Sequence, residues 1–435
     1  MISSPVALPD EIWVSVLSFL PCSKDLRNAA LVSPVFLRCA TSASRQVIIN
    51  EIDHRVLPDA LAAIESSKID AQNLSQVAHF SDIYLKQRPG LPPSISLADG
   101  TSLSELHQCV RQLAGEFQDV ALRRLQKEQR CLAQDRGDWP SPTGPPGLPS
   151  AAETARYMRA LYRFEIYCNL FKEPEVVRFN LDVVNFQRVH FFDTLSPWEI
   201  EQLVAARDFL AAAIIGPPLH ALAELSKLQG LSGHQGASRS EPEMSDWTGP
   251  LLSVNLAREN CHIKQNQARI LCFGLRFLHK VWVTPVTQFD KVLLELPQQP
   301  RYASYNRVGE IYVWFCDAVN KSTELNNFDL PTENRLCRYT PAEYAEHVRK
   351  SAVDDDDDTG PEEAWYWAYN SFRGVENNDP RMINCRLFGM FFWDSARLHD
   401  VNFFTRVDFW WWRWEGGRQR DFEWETGPTQ VQRFL

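Results

Sequence analysis

The chain has 435 residues, of which 44% are hydrophobic and 23% are charged, so it is long enough for about two or three globular units. Its formal net charge of -10 disfavours broad binding to nucleic acid or to anionic membranes, because both require clusters of Lys and Arg. The ten Cys residues are scattered without a C-x-x-C spacing, so we expect free thiols, with no bound metal and no cofactor.

Neither a signal peptide nor a membrane span is predicted. No Lys or Arg precedes Lys24, so the apolar stretch that begins at Trp13 lacks the basic region of a signal peptide. The best candidate for a membrane span, residues 209–223, is too short for a bilayer and contains Pro217-Pro218. We therefore expect a soluble protein of the cytoplasm, the nucleus or both.

The first fifty residues alternate short helical patterns with stop signals. Pro9 suits the first position of a helix, and apolar residues at helical spacing follow it up to Pro21. Ser23 is predicted to cap a second helix and Pro34 to begin a third. Residues 46–49 are predicted to form a short extended connection. Three such helices bury little by themselves, so we expect a partner to bury the rest.

From residue 54 onwards helical patterns dominate, and the fold class predicted for the whole chain is mainly α. Residues 54–435 are predicted to form one large irregular helical domain, with loops near residues 135–150, 229–250 and 351–362. The predicted helices include residues 57–64, 74–85, 103–132, 153–171, 197–210, 252–281, 307–319 and 341–350. The pattern of residues 185–192 is ambiguous. No fixed-period repeat occurs, which disfavours propellers and solenoids.

Three motifs near the N-terminus resemble an F-box. They are Leu8-Pro9-x-Glu11-Ile12, Val16-Leu17-x-x-Leu20-Pro21 and Asp25-Leu26-x-x-Ala29-x-Leu31-Val32-Ser33-x-x-Phe36. The resemblance implies a three-helix domain over residues 6–46 that docks on the adaptor subunit of a cullin–RING ubiquitin ligase. It also implies the adaptor contacts, which are Leu8, Pro9, Ile12, Leu26, Leu31 and Val32. Residues 34–38 depart from the family, since many F-boxes have a Trp or a basic pair in the third helix.

Three later segments, residues 162–171, 195–203 and 389–394, are similar to segments of filamentous-fungal F-box proteins. That resemblance implies a helical region that binds a target protein, and it implies no activity.

Signatures of enzymes and metal sites are weak in this sequence. It contains no P-loop, G-x-G-x-x-G, H-E-x-x-H or G-x-S-x-G, and residues 230–234 only approach the last of these. Cys261, His262, Cys272 and His279 fall within a short segment, but their spacing does not suit a structural zinc site. Free thiols and surface His side chains are therefore favoured.

Two charged features are better explained by structure than by chemistry. Arg163 and Glu165 lie in a helix that is apolar on nearly all sides, so we expect both to be buried with ion-pair or backbone partners. The adjacent carboxylates of Asp354 to Asp358 repel one another and cannot converge on one cation, so a solvated linker is favoured over a binding site.

The Trp-rich C-terminal segment is the remaining candidate for binding. Trp410, Trp411 and Trp412 precede Arg413, and such interleaving can stack bases or hold an acidic peptide. Residues 406–425 contain four basic and five acidic residues, which argues against nucleic acid and favours burial of the Trp rings. If these four residues are exposed, they are predicted to bind a target protein.

The F-box resemblance thus implies a non-catalytic, substrate-recruiting subunit of an SCF-type cullin–RING ubiquitin ligase. It would link the adaptor, and through it the cullin, to an unknown target protein. Two alternatives remain open: an F-box scaffold that does not cause degradation, and an enzyme with its site in the helical domain. A deep pocket with converging His, Cys or carboxylate groups would favour the enzyme, whereas a broad exposed aromatic patch would favour the other two.

Overall fold

A computed structural model describes residues 8–136, 147–171, 183–219, 270–285, 288–294, 358–371 and 385–401. Over these ranges the protein is all-α and contains no β-strand, which confirms the predicted fold class. The chain divides into two compact units, the first made of Met1–Ala206 with Ala318–Thr405 and the second of Arg207–Asp317 with Arg406–Leu435. No helix in the described ranges combines the length and the apolar character that crossing a membrane requires.

The first three helices pack together as an N-terminal bundle. They are α1 (Asp10–Ser18), α2 (Ser23–Val32) and α3 (Pro34–Glu51), and both α1 and α2 contact α3. Small and medium apolar side chains at helical spacing let the helices approach closely and fill their shared core. These side chains are Leu17, Leu26, Ala30, Cys39, Ala40, Ala43 and Val47. Three N-terminal helices are therefore present, as the sequence predicts.

Two details of the bundle differ from the prediction. The pattern at residues 46–49 predicts an extended connection, but α3 continues without a break to Glu51. Val47 and Ile48 are fully buried on the same face as the other core residues of α3, and this packing outweighs the β-propensity of branched side chains. Ser23 is the first helical residue and not the cap, and its backbone N–H donates to the carboxylate of Glu51 at 3.2 Å.

The helices that follow are α4 (Leu57–Ser66), α5 (Leu74–Phe80) with a π-helical turn at Ser81–Lys86, and α6 (Leu97–Arg136). α6 has 40 residues and contains the long helix predicted for residues 103–132. Its buried apolar positions recur every three or four residues, which places them on one face. They are Leu103, Leu106, Val110, Leu113, Phe117, Ala121 and Leu125.

Among the helices of the first unit that the structure describes, α7 (Ala151–Phe171) is the most buried. It contacts both α4 and α6, and its side chains are buried on nearly every side. Arg163 and Glu165 are buried as predicted, and Arg163 forms ion pairs with Asp59 and Glu199. This helix is the centre around which the first unit is built.

α8 (Val183–His190) resolves the ambiguity of residues 185–192 in favour of a helix, which is followed by a 3₁₀ turn at Phe192–Thr194. α9 (Pro197–Phe209) then begins close to the predicted start and leads into a π-helical turn at Leu210–Ile215.

In the second unit, α10 (Leu275–Val283) contacts the turn at Leu210–Ile215, and α11 (Phe289–Leu294) follows. The buried side chains of α10 are Leu275, Leu278 and Val281. Of the helix predicted for residues 252–281, the structure describes only residues 270–281. Within them the helix is interrupted at residues 272–274, where Gly274 has a φ of 79°, before α10 begins. The helices predicted at 307–319 and 341–350 lie outside the described residues.

The remaining described elements belong to the first unit. They are α12 (Gly360–Ser371), a 3₁₀ turn at Met390–Phe392 and α13 (Ser395–Asp400). The turn packs on α7, where the rings of Phe392 and Tyr157 stack with centroids 4.0 Å apart. This C-terminal segment is therefore part of the core that surrounds α7.

Candidate docking face of the N-terminal bundle

Contacts at both ends of α3 fix the directions of the other two helices. Near the start of α3, the guanidinium of Arg38 donates to both carboxylate oxygens of Asp10, each at 2.8 Å. Near its end, the side chain of Asn50 donates to the backbone carbonyl of Ser18 at 3.0 Å, so α1 runs parallel to α3. α2 runs antiparallel to α3, because only Ser33 separates them and the start of α2 bonds to the end of α3.

This topology brings the start of α1, the end of α2 and the start of α3 to the same end of the bundle. We name it the apolar end, and it consists of Leu8, Pro9, Ile12, Leu31, Val32 and Leu37. Leu31 and Val32 are each 78% exposed, and Leu37 is 56% exposed. Leu8 and Ile12, four residues apart and thus on one side of α1, are 47% and 46% exposed. Exposed apolar side chains that share one end of a bundle form a candidate docking surface.

Exposed apolar side chains are concentrated in this bundle. Among the residues whose side chains the structure describes, twelve large apolar side chains are exposed, and eight of them lie within residues 8–49. The sequence motifs identified Leu8, Ile12, Leu31 and Val32 as surface positions but missed Val16, Phe19, Leu37 and Ile49. The spacing of four between Ile12 and Val16 could have identified Val16, since it continues the same face of α1.

The predicted adaptor contact at Leu26 is not consistent with its position. Leu26 is fully buried in the bundle core, where Ala30 lies one turn further along the same face. Leu31 and Val32 are five and six residues beyond Leu26, so they are rotated away from it by about 140° and 240° around α2. Leu26 therefore holds α2 against α3, and the neighbouring residues form the surface.

Polar contacts keep the apolar end in place. The hydrogen bond from Arg38 lowers the pKa of Asp10, so this carboxylate stays ionised and paired over the physiological range. The thiol of Cys39 lies 3.7 Å from the backbone carbonyl of Asp10 and donates to it. The ring of Trp13 meets that of Phe36 edge-on, with centroids 4.8 Å apart. Each of these contacts joins α1 to the first turns of α3.

The opposite end of the bundle is joined to α6. The carboxylate of Glu51 accepts hydrogen bonds from the backbone of Ser23 and from the hydroxyl of Ser104 in α6. Gly100 of α6 packs so closely that a Cβ atom there would lie 2.7 Å from Oγ of Ser44 in α3. α2 and α3 both contact α6, so the bundle is packed on the rest of the first unit and is not a separate module on a flexible connection.

A cluster of charged side chains elsewhere in the first unit is buried and internally paired. Asp59 lies 2.6 Å from Arg88 and 3.1 Å from Arg163, and Arg163 also lies 2.8 Å from Glu199. Burial favours a higher pKa for Asp59 and for Glu199, but the charges of the surrounding Arg residues outweigh it and hold both below their usual values. Both carboxylates are therefore ionised and occupied, which suits a structural link between α4, α7 and α9.

The part of the chain that the structure describes contains no group of metal ligands, and the predicted target-binding residues lie outside it. No group of His, Cys, Asp and Glu there is arranged to hold a metal ion, and Cys261 and His262 lie outside it. Trp410, Trp411, Trp412 and Arg413 also lie outside the described residues, as do residues 230–234.

The acidic run that begins at Asp354 is described only at its last residue. Asp358 accepts hydrogen bonds from the backbone N–H groups of Gly360 and Ser395, at 2.7 and 2.8 Å. At this position the carboxylate joins the starts of α12 and α13 and is not simply solvated as the linker interpretation expects.

No protein-family model, curated protein or solved structure matches this chain.

Proposed function

We propose that this protein is a substrate-recruiting subunit of a cullin–RING ubiquitin ligase, and that the apolar end of the N-terminal bundle docks on the ligase adaptor. The observation that carries the proposal is the exposure of Leu8, Pro9, Ile12, Leu31 and Val32 at one end of the bundle. These are five of the six positions that the F-box resemblance assigns to the adaptor. Leu37 adds an apolar side chain from the third helix, where many F-boxes have a Trp or a basic pair.

The proposed mechanism requires no covalent chemistry in this chain. The apolar end fixes the protein to the adaptor and through it to the cullin, while the large helical region holds a target protein. A target lysine then meets the ubiquitin thioester at a high effective concentration and in a restricted orientation. The packing of the bundle on α6 through Glu51 supports this role, because it limits rotation of the target relative to the ligase.

The test is a pull-down of the recombinant full chain with the purified adaptor. Leu31→Asp places a charge on a side chain that is 78% exposed, so we expect a folded protein that no longer binds. Phe19→Asp is the matched control: Phe19 is 85% exposed, but it lies beyond the other end of α1 and should be dispensable. The double variant Leu8→Ala, Pro9→Ala should also lose binding. Absence of binding by the wild type, or equal binding by Leu31→Asp and Phe19→Asp, refutes the docking proposal.

Adaptor binding alone does not separate a degradative receptor from a scaffold. If the protein is a receptor, its loss should lengthen the half-life of the proteins that bind its helical region, and Leu31→Asp should have the same effect. If half-lives stay unchanged while adaptor binding is intact, the scaffold alternative replaces the receptor.

A further inference from the structure

Two Ser-Pro pairs occupy helix starts in the described structure, and they differ in environment. Ser196-Pro197 begins α9, and Ser196 is fully buried with its hydroxyl donating to the carboxylate of Glu199 at 3.0 Å. Ser33-Pro34 begins α3, and Ser33 is only half-buried while Pro34 is exposed. The same dipeptide is thus enclosed in one place and accessible in the other.

The backbone of Ser33 has the form that a protein kinase binds. Its φ of -149° and ψ of 139° are extended, and it is the single residue between α2 and α3. Leu31 and Val32 on its N-terminal side are highly exposed, and the last turn of a helix opens at low cost. Pro34 has no backbone N–H, so it can enter an apolar kinase pocket without leaving a donor unsatisfied.

We propose that Ser33 is a phosphorylation site for a proline-directed protein kinase, and that the phosphate closes the apolar end to its partner. The Ser33 Oγ attacks the γ-phosphorus of ATP, the bond from that phosphorus to the bridging oxygen breaks and ADP leaves. The hydroxyl proton passes to the kinase's catalytic base. The second half of this inference rests on the proposed docking to the adaptor, whereas the first half does not.

The position of Ser33 determines what a phosphate does there. Ser33 Oγ already accepts a hydrogen bond from the N–H of Val35 at 3.2 Å, so a phosphate on it lies at the positive end of the 18-residue helix α3. The first turn of α3 contains no acidic residue to repel it. The modification should therefore preserve or strengthen the helix start.

The same phosphate opposes docking. It brings a charge of about -1.5 to -2 beside Leu31 and Val32. A partner that buries these side chains must then desolvate the charge, which weakens the complex. Phosphorylation thus raises or maintains stability while it lowers affinity, a combination that simple damage to the fold does not produce.

The acceptor site is tested on the folded full chain with a purified proline-directed kinase, Mg²⁺ and ATP, followed by phosphopeptide mapping. We expect phosphate on Ser33 and none on Ser196, and loss of the Ser33 phosphopeptide in Ser33→Asn. Asn keeps the helix cap but cannot be phosphorylated, so the variant remains folded. Absence of phosphate on Ser33 overturns the site, and equal phosphate on Ser196 does so as well, because it would show that only the unfolded chain is accepted.

Closure of the apolar end is tested with Ser33→Asp against Ser33→Asn, which share the cap and differ in charge. We expect the Asp variant and the phosphorylated protein to bind the adaptor at least about tenfold more weakly than the Asn variant, with an equal or higher midpoint of thermal unfolding. Equal affinities overturn the closure. If no form binds the adaptor while Ser33 is phosphorylated, the proposed function fails and the phosphorylation site stands.

Discussion

The N-terminal bundle exposes apolar side chains to water, whereas the core around α7 buries charged side chains. The bundle fills its interior with small and medium apolar residues and leaves further apolar side chains, such as Leu31 and Val32, in water. The core around α7 buries Arg156 and Arg163 with their carboxylate partners. Full burial of one Leu or Val is worth about 1.5–3 kcal/mol, so the bundle leaves stabilisation available for a partner. The described helices around α7 instead join their charged side chains in buried ion pairs.

This comparison predicts that the largest loss of stability comes from the buried charges. Arg163→Met removes an ion-pair partner of the buried Glu199 and one of the two Arg partners of Asp59. It should lower the free energy of unfolding by about 3–5 kcal/mol, because buried carboxylates lose a compensating charge. Urea unfolding followed by Trp fluorescence measures it. Arg123→Met is the control, since Arg123 is 55% exposed and 3.5 Å from Glu116, and it should change stability by no more than about 0.5 kcal/mol. Equal losses would contradict a structural role for the network.

Within the bundle, core and surface positions of the same helix should behave oppositely. Leu26→Ala should lower the free energy of unfolding by about 2–5 kcal/mol, because it leaves a cavity among tightly packed helices. Leu31→Ala should change it by no more than about 0.5 kcal/mol and should instead weaken adaptor binding. Chemical unfolding and a binding titration on both variants check this. A large stability loss in Leu31→Ala would mean that Leu31 is a core residue.

The contact between the bundle and α6 should give a smaller effect. Gly100→Ala places a Cβ against the buried Ser44, at an estimated cost of about 1–3 kcal/mol, part of which is offset by the better helix propensity of Ala. Combining it with Ser44→Ala removes the clash and should restore stability. A double-mutant cycle of unfolding free energies measures the coupling. Additive losses would indicate that these helices are not in contact.

The smallest expected effect is at the exposed pair of Asp10 and Arg38. The folded-state pKa of Asp10 lies below its unfolded value because Arg38 donates to it, so the pair stabilises the bundle at higher pH. That contribution is lost as the pH falls from the unfolded value of about 4 through the lower folded one. An NMR titration of the Asp10 carboxyl carbon should show the low pKa in the wild type and a rise towards 4 in Arg38→Gln. An unchanged pKa of Asp10 in Arg38→Gln would show that Arg38 does not lower it.

Much of the helical fold could be predicted from apolar periodicity, which gives α4 and α7 to within two residues at each end and the central part of α6. The extended connection predicted at residues 46–49 is wrong because Val47 and Ile48 extend an apolar stripe that begins far earlier in α3. Leu26 was misplaced for a different reason. A family motif records which positions are apolar, but only the phase of α2 against α3 decides which of them faces inward.

The position of the candidate docking face in the sequence could be predicted, but the contacts that join the N-terminal bundle to α6 could not. Nothing in the residues around Glu51 indicates that its carboxylate joins α2 to α6, because the partners Ser23 and Ser104 are distant in sequence. The sequence predicted that Arg163 is buried with an ion-pair or backbone partner. It could not identify Asp59 and Glu199 as the partners, because these contacts depend on how α4, α7 and α9 pack.

The first turn of α3 contributes Leu37 to the apolar end. Further along the same helix, Ser44 and Glu51 contact α6. A helix turns by about 100° and rises by about 1.5 Å with each residue, so the number of residues between two positions on α3 sets the angle between their side chains. One residue inserted between Ala40 and Ser44 would rotate the apolar end by about 100° around the axis of α3 relative to α6. The number of residues in this short stretch, more than their chemistry, therefore sets the direction in which a bound target would face.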